Sequence, residues 1–434
     1  MTNRDPRQIM EYGSMSRAQW VAVLITVGLN ALDGFDVLSI SFASPGIASD
    51  WQLDSATLGW VLAMELLGMA VGSLALGPVA DKVGRRATIL GCLVAMTAGM
   101  FGAGFATGIA VLLAWRLITG LGIGGMLAAI NAAAAEFSNL RWRGLAMALM
   151  VIGYPIGGVL GGLIVQQILA DGSWHDVFFF GAVVTAAFIP VVWFLVPETP
   201  AFLDRQRAPG ALERINGVLG RLGHQSAEAL TTWTEATQKA SVVDIFRPAL
   251  LMTTVLVTLA YFAHITSFYF LLKWIPKIVV DMGFEPRAAA GFLTWMNVGG
   301  ATGGAIFGLI SVRVGLRPLT IVTLIGASLM IFLFGRGPTE SVALTATVVA
   351  AGFFTNAAIV GLYAMFAKVF PTHVRATGTG FAIGLGRGGA ALAPVLAGYL
   401  FQFGFSLQTV ALIMGSGALL AAIALFALGK TETD

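Results

Sequence analysis

Twelve stretches of about twenty residues or more, nearly devoid of charge, constrain this chain more than any other feature of its sequence. They fall at roughly 20–47, 57–80, 87–106, 108–137, 144–170, 174–196, 249–275, 288–312, 318–336, 341–369, 376–403 and 407–429. At about 1.5 Å rise per residue, each is long enough to cross the hydrocarbon core of a bilayer as a helix. Water-soluble domains are excluded on the same ground: with 11% charged and 57% hydrophobic residues, the chain cannot clothe their surfaces. The expectation is an all-α membrane protein of twelve transmembrane helices. Fifty-four glycines suit it, because small residues let helices approach closely in lipid.

Orientation follows from the positions of Lys and Arg. With the N-terminus cytoplasmic, nineteen fall in inner segments and four (Lys273, Lys277, Arg287 and Arg336) in outer ones, so both termini are expected inside. The net charge of +3 is thus a matter of membrane sidedness, and no nucleic-acid partner is implied. The first nineteen residues contain Arg4, Asp5, Arg7, Glu11 and Arg17 and no apolar core, so the first span is expected to act as an uncleaved insertion signal. A single cysteine, Cys92, excludes an internal disulfide, and the scattered histidines (His175, His224, His264, His373) show no metal-ligand spacing. No cofactor is expected.

Residues 197–248 form the one long polar interruption, with Pro197, Pro200, Pro209 and Gly210 and two plausible helices near 210–222 and 225–240. The expected organisation is an N-terminal tail (1–19), a six-helix bundle (20–196), a cytoplasmic linker (197–248), a second six-helix bundle (249–429) and a short tail (430–434). The halves echo each other. The stretch Gly77-Pro-Val-Ala-Asp81-Lys82-Val-Gly84-Arg85-Arg86 and the stretch Gly308-Leu-Ile-Ser-Val312-Arg313-Val-Gly315-Leu316-Arg317 lie 231 residues apart. Arg143-Gly144 and Arg375-Ala376 lie 232 apart. Two matches at nearly one offset indicate a duplicated six-helix unit.

Residues 77–86 match throughout the signature loop Gly-x-x-x-Asp-Arg/Lys-x-Gly-Arg-Arg of the major facilitator superfamily of secondary transporters. Arg116-Leu-Ile-Thr-Gly120-Leu-Gly122 resembles that family's fourth-span pattern, and Pro197-Glu198-Thr199-Pro200 its Pro-Glu-Ser-Pro stretch. The second copy of the loop departs, with Val312 in place of Asp. Within the superfamily, Asp33-Gly34-Phe35-Asp36 resembles the first-span motif of the aromatic acid:proton symporters. That resemblance implies uptake of benzoate-type carboxylates with protons into the cell across the inner membrane. In a competing direction, Gly153-Tyr154-Pro155-Ile-Gly157-Gly158 partly resembles the Gly-Pro motif of drug:proton antiporters, with Tyr154 where those proteins carry Gly.

Charge inside the apolar spans carries the chemistry, since an ionisable group at the bilayer centre costs roughly 2.5–3.5 kcal/mol. Asp36, Glu65 and Arg116 fall in one layer, about 12–16 Å below an outer helix end, and Asp33 lies one turn from Asp36 on the same span. Three acids against one base leave the first bundle with excess negative charge, and crowding in low dielectric raises carboxyl pKa values. Asp33 and Asp36 are therefore the expected carriers of a coupled proton, with Arg116 responding to them; a static Arg116–Asp pair is the alternative, and Glu65 is either a third member or a packing residue. Arg387, about 18 Å into the eleventh span, has no acid in the C-terminal spans to answer it. A substrate carboxylate would suit its planar fork, as would one of the aspartates across the bundle interface. His264, Tyr261, Phe268, Trp295, Asn297 and Asn356 are the accompanying candidates for contacts to an aromatic ring, although each is singly as well explained by packing.

By the resemblance, Asp81, Arg85, Arg86, Glu136 and Arg375 form a cytoplasmic gate, in which Asp81 meets the start of span eleven and Glu136 pairs with Arg85 or Arg86. The reading is a proton-coupled importer of an aromatic monocarboxylate, working as a monomer by alternating access. Its rivals are proton-driven efflux of a hydrophobic compound and symport of a non-aromatic organic acid. No nucleotide loop or nucleophile constellation supports an enzyme.

Overall fold

A computed structural model describes residues 5–231, 242–371 and 374–428. In chain order the helices are α1 (Pro6–Tyr12), α2 (Arg17–Asp50), α3 (Ser55–Val83), α4 (Arg85–Gly104), α5 (Ile109–Glu136), α6 (Arg143–Asp171), α7 (Trp174–Leu195), α8 (Pro200–Gln206), α9 (Ala211–Arg221), α10 (Pro248–Asp281), α11 (Pro286–Ile310), α12 (Leu316–Gly335), α13 (Ser341–Val369), α14 (Arg375–Gln402) and α15 (Leu407–Ala427). No strand occurs among the described residues. Eleven of these helices are long and apolar enough to cross a membrane; the glycine-rich α11 occupies the expected eighth span and completes the twelve.

Local chemistry sets the helix ends. Ser16 and Gln19 form a reciprocal capping box at the start of α2: the Gln19 amide donates to Ser16 Oγ at 3.1 Å, and the Ser16 amide to Gln19 Oε1 at 2.9 Å. Asp54 caps α3 through the Thr57 amide at 2.7 Å, and Ser406 caps α15 through Thr409. The linker differs from its sequence reading. One of the two expected helices forms, as α9, but residues 225–231 are not helical. Asn216 engages both backbone groups of Ala227, its Oδ1 accepting at 2.7 Å and its Nδ2 donating at 3.1 Å, which satisfies them without a helix. Residues 232–240 of that stretch lie outside the described residues.

Contacts gather the chain into two compact units, residues 1–37, 68–157 and 178–237 in one, residues 38–67, 158–177 and 238–434 in the other. The first unit holds the opening part of α2, most of α3, α4, α5, most of α6 and most of α7. In it α2 and α6 touch backbone to backbone: a methyl group at Gly157 would overlap the Ala31 carbonyl, and one at Gly34 the Tyr154 carbonyl. The glycines that resemble an antiporter motif therefore have a packing role in α6. In the second unit the closing part of α2, the opening part of α3 and the closing part of α6 pack with α10, α11 and α14. Gly59 abuts the Pro394 carbonyl, Gly398 the Ser55 backbone, and Gly162 the Thr294 hydroxyl.

Candidate functional site

The charged centre of the first unit is built on α2 and α5. Asp33 and Asp36 are three residues apart, so they project from one face of α2, and both are buried. Arg116 of α5 is wholly buried and reaches α2 through the main chain: its Nη2 donates to the Asp36 carbonyl oxygen at 3.0 Å. Its Nη1 lies 3.1 Å from the Met100 sulfur of α4, and the guanidinium stands 5.4 Å from the Phe178 ring centroid of α7. A main-chain carbonyl, a soft sulfur and an aromatic face hold the guanidinium fork at low cost in an apolar layer. Gly181 of α7 makes room for the Met100 methyl and the Phe35 ring, and the Asp36 carboxylate lies 3.4 Å from where a Cβ would stand. Arg116 is thus joined to the turn of α2 that carries Asp33 and Asp36.

Glu65 has a different setting. Its Oε2 lies 3.5 Å from Nζ of Lys273, and neither side chain has any exposed surface. The charge count places Lys273 in an outer segment, with the seventh span ending at residue 275, whereas α10 runs on to Asp281. Lys273 is a buried partner, and Glu65 does not add to the excess of acid around Asp33 and Asp36. The signal available in the sequence is Ile278-Val279-Val280, an apolar continuation past Lys273 and Lys277.

In the second unit α10, α13 and α14 assemble the other candidates. The Tyr261 and Tyr363 hydroxyls are hydrogen-bonded at 3.0 Å, and Phe366 packs edge-on against Tyr261. Arg387, half-buried between Gly386 and Gly388, is within electrostatic reach of the Tyr261 hydroxyl. Gly386 makes room for the Tyr261 ring and Gly389 for the Phe262 backbone, which seats α14 on α10. His264 is fully buried, its Nε2–H donating to the Thr355 carbonyl at 2.9 Å. Phe268 packs edge-on to Tyr269, and Asn356 of α13 lies against Gly300 of α11. Asn297 is buried, and its Nδ2 donates to the Leu293 carbonyl. Trp295 is set apart, 52% exposed while Thr294, Met296 and Asn297 are buried. Two residues along a helix are about 200° apart, so Trp295 faces away from Asn297.

The loop from α3 to α4 is a third cluster. Arg85 bonds Asp81 at 2.9 Å, Glu136 at 3.0 Å and the Ala80 carbonyl at 2.7 Å. Of the two arginines that Glu136 was expected to meet, it is Arg85 that contacts it; Arg86 donates instead to the Trp193 carbonyl at 2.6 Å and lies over that indole. Arg375 Nε donates to the Phe370 carbonyl at 3.3 Å. Glu198, not among the sequence candidates, caps α4: it accepts from the Arg85 amide at 2.9 Å, the Arg86 amide at 3.2 Å and the Thr199 amide at 3.0 Å. Burial pushes its carboxyl above the usual range, opposed by those amides and by the Arg85 charge. Thr199 Oγ1 donates to Glu136 at 2.5 Å, closing a ring of contacts from α3 to α8. Glu198 lies 113 residues from Arg85, a separation that only the fold removes.

The Major Facilitator Superfamily profile matches residues 26–336. The chain belongs to that superfamily and is a multi-pass membrane transporter, not an enzyme. Among characterised relatives it is 30% identical to the gallate transporter of Pseudomonas putida, over 95% of this chain and 92% of that protein. It is also 30% identical to the 3-(3-hydroxy-phenyl)propionate transporter of Escherichia coli strain K12, over 94% of each. The fold resembles the crystal structure of a D-xylose-proton symporter, with a TM-score of 0.74 at 17% identity, over 94% of this chain and 97% of that one.

Proposed function

We propose that the protein imports an aromatic monocarboxylate together with protons across the cytoplasmic membrane, both termini inside, as a monomer working by alternating access. The observation that carries the coupling is the buried pair Asp33 and Asp36, one turn apart on α2, with the guanidinium of Arg116 bonded to the same turn. A proton taken up by either carboxylate changes the charge that must be occluded when the substrate crosses. The substrate class is supported by the two 30%-identical relatives, whose named substrates are phenolic carboxylates. Arg387 is the proposed carboxylate partner, and the Tyr261–Tyr363 hydroxyl pair beside it suits a ring hydroxyl. The Asp81–Arg85–Glu136 cluster, capped by Glu198, is the proposed inner gate.

Purified protein in liposomes, given an inward proton gradient, should accumulate gallate, 3-(3-hydroxyphenyl)propionate or benzoate, and an uncoupler should abolish accumulation. Asp33→Asn should retain substrate exchange while losing uphill uptake. Undiminished uphill uptake by that variant would remove the coupling assignment, and accumulation only under a reversed gradient would establish efflux instead.

A further inference from the structure

The Glu65–Lys273 pair is an ion pair between two wholly buried side chains, set about 15 Å from the Ser55 end of α3 and about 12 Å from the Asp281 end of α10. The helices of this unit pack closely through glycines. Beside it Trp274 Nε1 donates to the Pro394 carbonyl at 3.2 Å, the same carbonyl that Gly59 abuts. Gly398 meets Ser55 and Gly59, Gly162 meets Thr294, and Gly158 meets Leu38 and Asn297. Packing of that kind needs no charge to hold it. A buried ion pair is a poor device for static stability, because desolvating the two ions costs as much as their attraction returns, and apolar replacements of similar volume are often neutral or stabilising.

What the pair does offer is a different dependence on water. When these helix ends separate and water enters, a glutamate and a lysine are solvated at once, whereas an apolar patch of the same size would expose hydrocarbon. We infer that Glu65 and Lys273 form the reversible latch of this end of the transporter: the pair holds α3 to α10 while the end is shut and lowers the cost of opening it. The assignment rests on the alternating-access reading but on neither the substrate nor the coupling ion. Glu65 is thereby a positioning residue, distinct in role from Asp33 and Asp36.

The test needs a thiol on the shut face. Thr294→Cys in a Cys92→Ala background places one there, since Thr294 is buried against Gly162. The purified full-length chain in detergent micelles is treated with a small water-soluble methanethiosulfonate, without substrate or proton gradient. Lys273→Met and Glu65→Gln each remove one charge from a buried pair, so labelling should rise at least about tenfold over the parent. The apolar double variant Glu65→Leu with Lys273→Met should label more slowly than the parent, and its gallate uptake in liposomes should fall. The exchange Glu65→Lys with Lys273→Glu should return both readouts toward the parent. Single variants that label like the parent, a double variant that takes up gallate at the parent rate, or an exchange that stays as labile as the singles would each overturn the latch. If the labelling pattern holds while the parent takes up none of the aromatic acids, the substrate reading fails and the latch stands.

Discussion

Gly84 joins α3 to α4 at φ 113° and ψ 159°, a region of backbone space that is essentially closed to residues with a side chain. The turn it makes aims two successive amides, those of Arg85 and Arg86, at the carboxylate of Glu198. Gly84→Ala adds two penalties. The backbone strain is worth about 1–3 kcal/mol, and the new methyl group overlaps the Glu198 carboxylate. The variant should unfold at a lower temperature than the parent and transport more slowly. Adding Glu198→Ala should relieve the overlap but leave the strain, so thermal unfolding of the double variant should recover only in part. Full recovery would show that the carboxylate contact, and not the backbone, made glycine necessary. The same scale explains why Arg116 is arginine: a lysine has one ammonium to offer where the main chain of α2, a thioether and an aromatic face are all in reach.

At the scale of elements, the short amphipathic α9 is held to the start of α2 by His224, whose Nε2 lies 2.9 Å from Gln19 Oε1. Gln19 in turn donates to the Phe137 carbonyl at 2.9 Å, so the linker, the first span and the end of α5 share one side chain. Burial pushes the His224 imidazole below its ordinary pKa. The folded form therefore binds fewer protons than the unfolded one. Its contribution to stability is present above the ordinary histidine value of about 6.5 and is lost as pH falls through the lowered value. Thermal unfolding of the parent and of His224→Gln should accordingly differ most near neutral pH and converge on acidification. A difference that stays constant with pH would detach this histidine from the effect. The long apolar helices were readable from the sequence, because an uncharged run of twenty residues has few alternatives to a helix in lipid, whereas the short α1 and α8 were not. The ends of the long helices were less readable. Residue 275 was a reasonable stop for the seventh span only because two lysines flank it, and the fold buries the first of them.

For the whole molecule, the proposed sidedness rests on charge. With Lys273 removed from the outer count, nineteen Lys and Arg lie in the segments proposed as inner and three in those proposed as outer. Single cysteines introduced into a Cys92→Ala background should divide accordingly in intact cells: Ser173→Cys and Glu340→Cys open to a membrane-impermeant maleimide, Ser226→Cys and Val312→Cys protected until the membrane is permeabilised. Labelling of the second pair in sealed cells would invert the topology. The duplicated loop, equally visible in the sequence, also carries the asymmetry noted there: Val312 occupies the place of Asp81, so only the first copy can form the ion pair with Arg85 that the structure contains.

By itself, the sequence determined that the chain is a membrane helix bundle with two related halves, and that Asp33, Asp36, Glu65 and Arg116 sit away from water. Both conclusions follow from the cost of placing polar groups in hydrocarbon, which is paid residue by residue and needs no knowledge of neighbours. Tertiary structure alone decided which charge answers which. Glu65 meets Lys273 across 208 residues, Arg116 takes the carbonyl of Asp36, and Glu198 caps a helix that begins more than a hundred residues earlier. Electrostatic partnership falls off over a few ångströms of space, and separation along the chain carries no information about it.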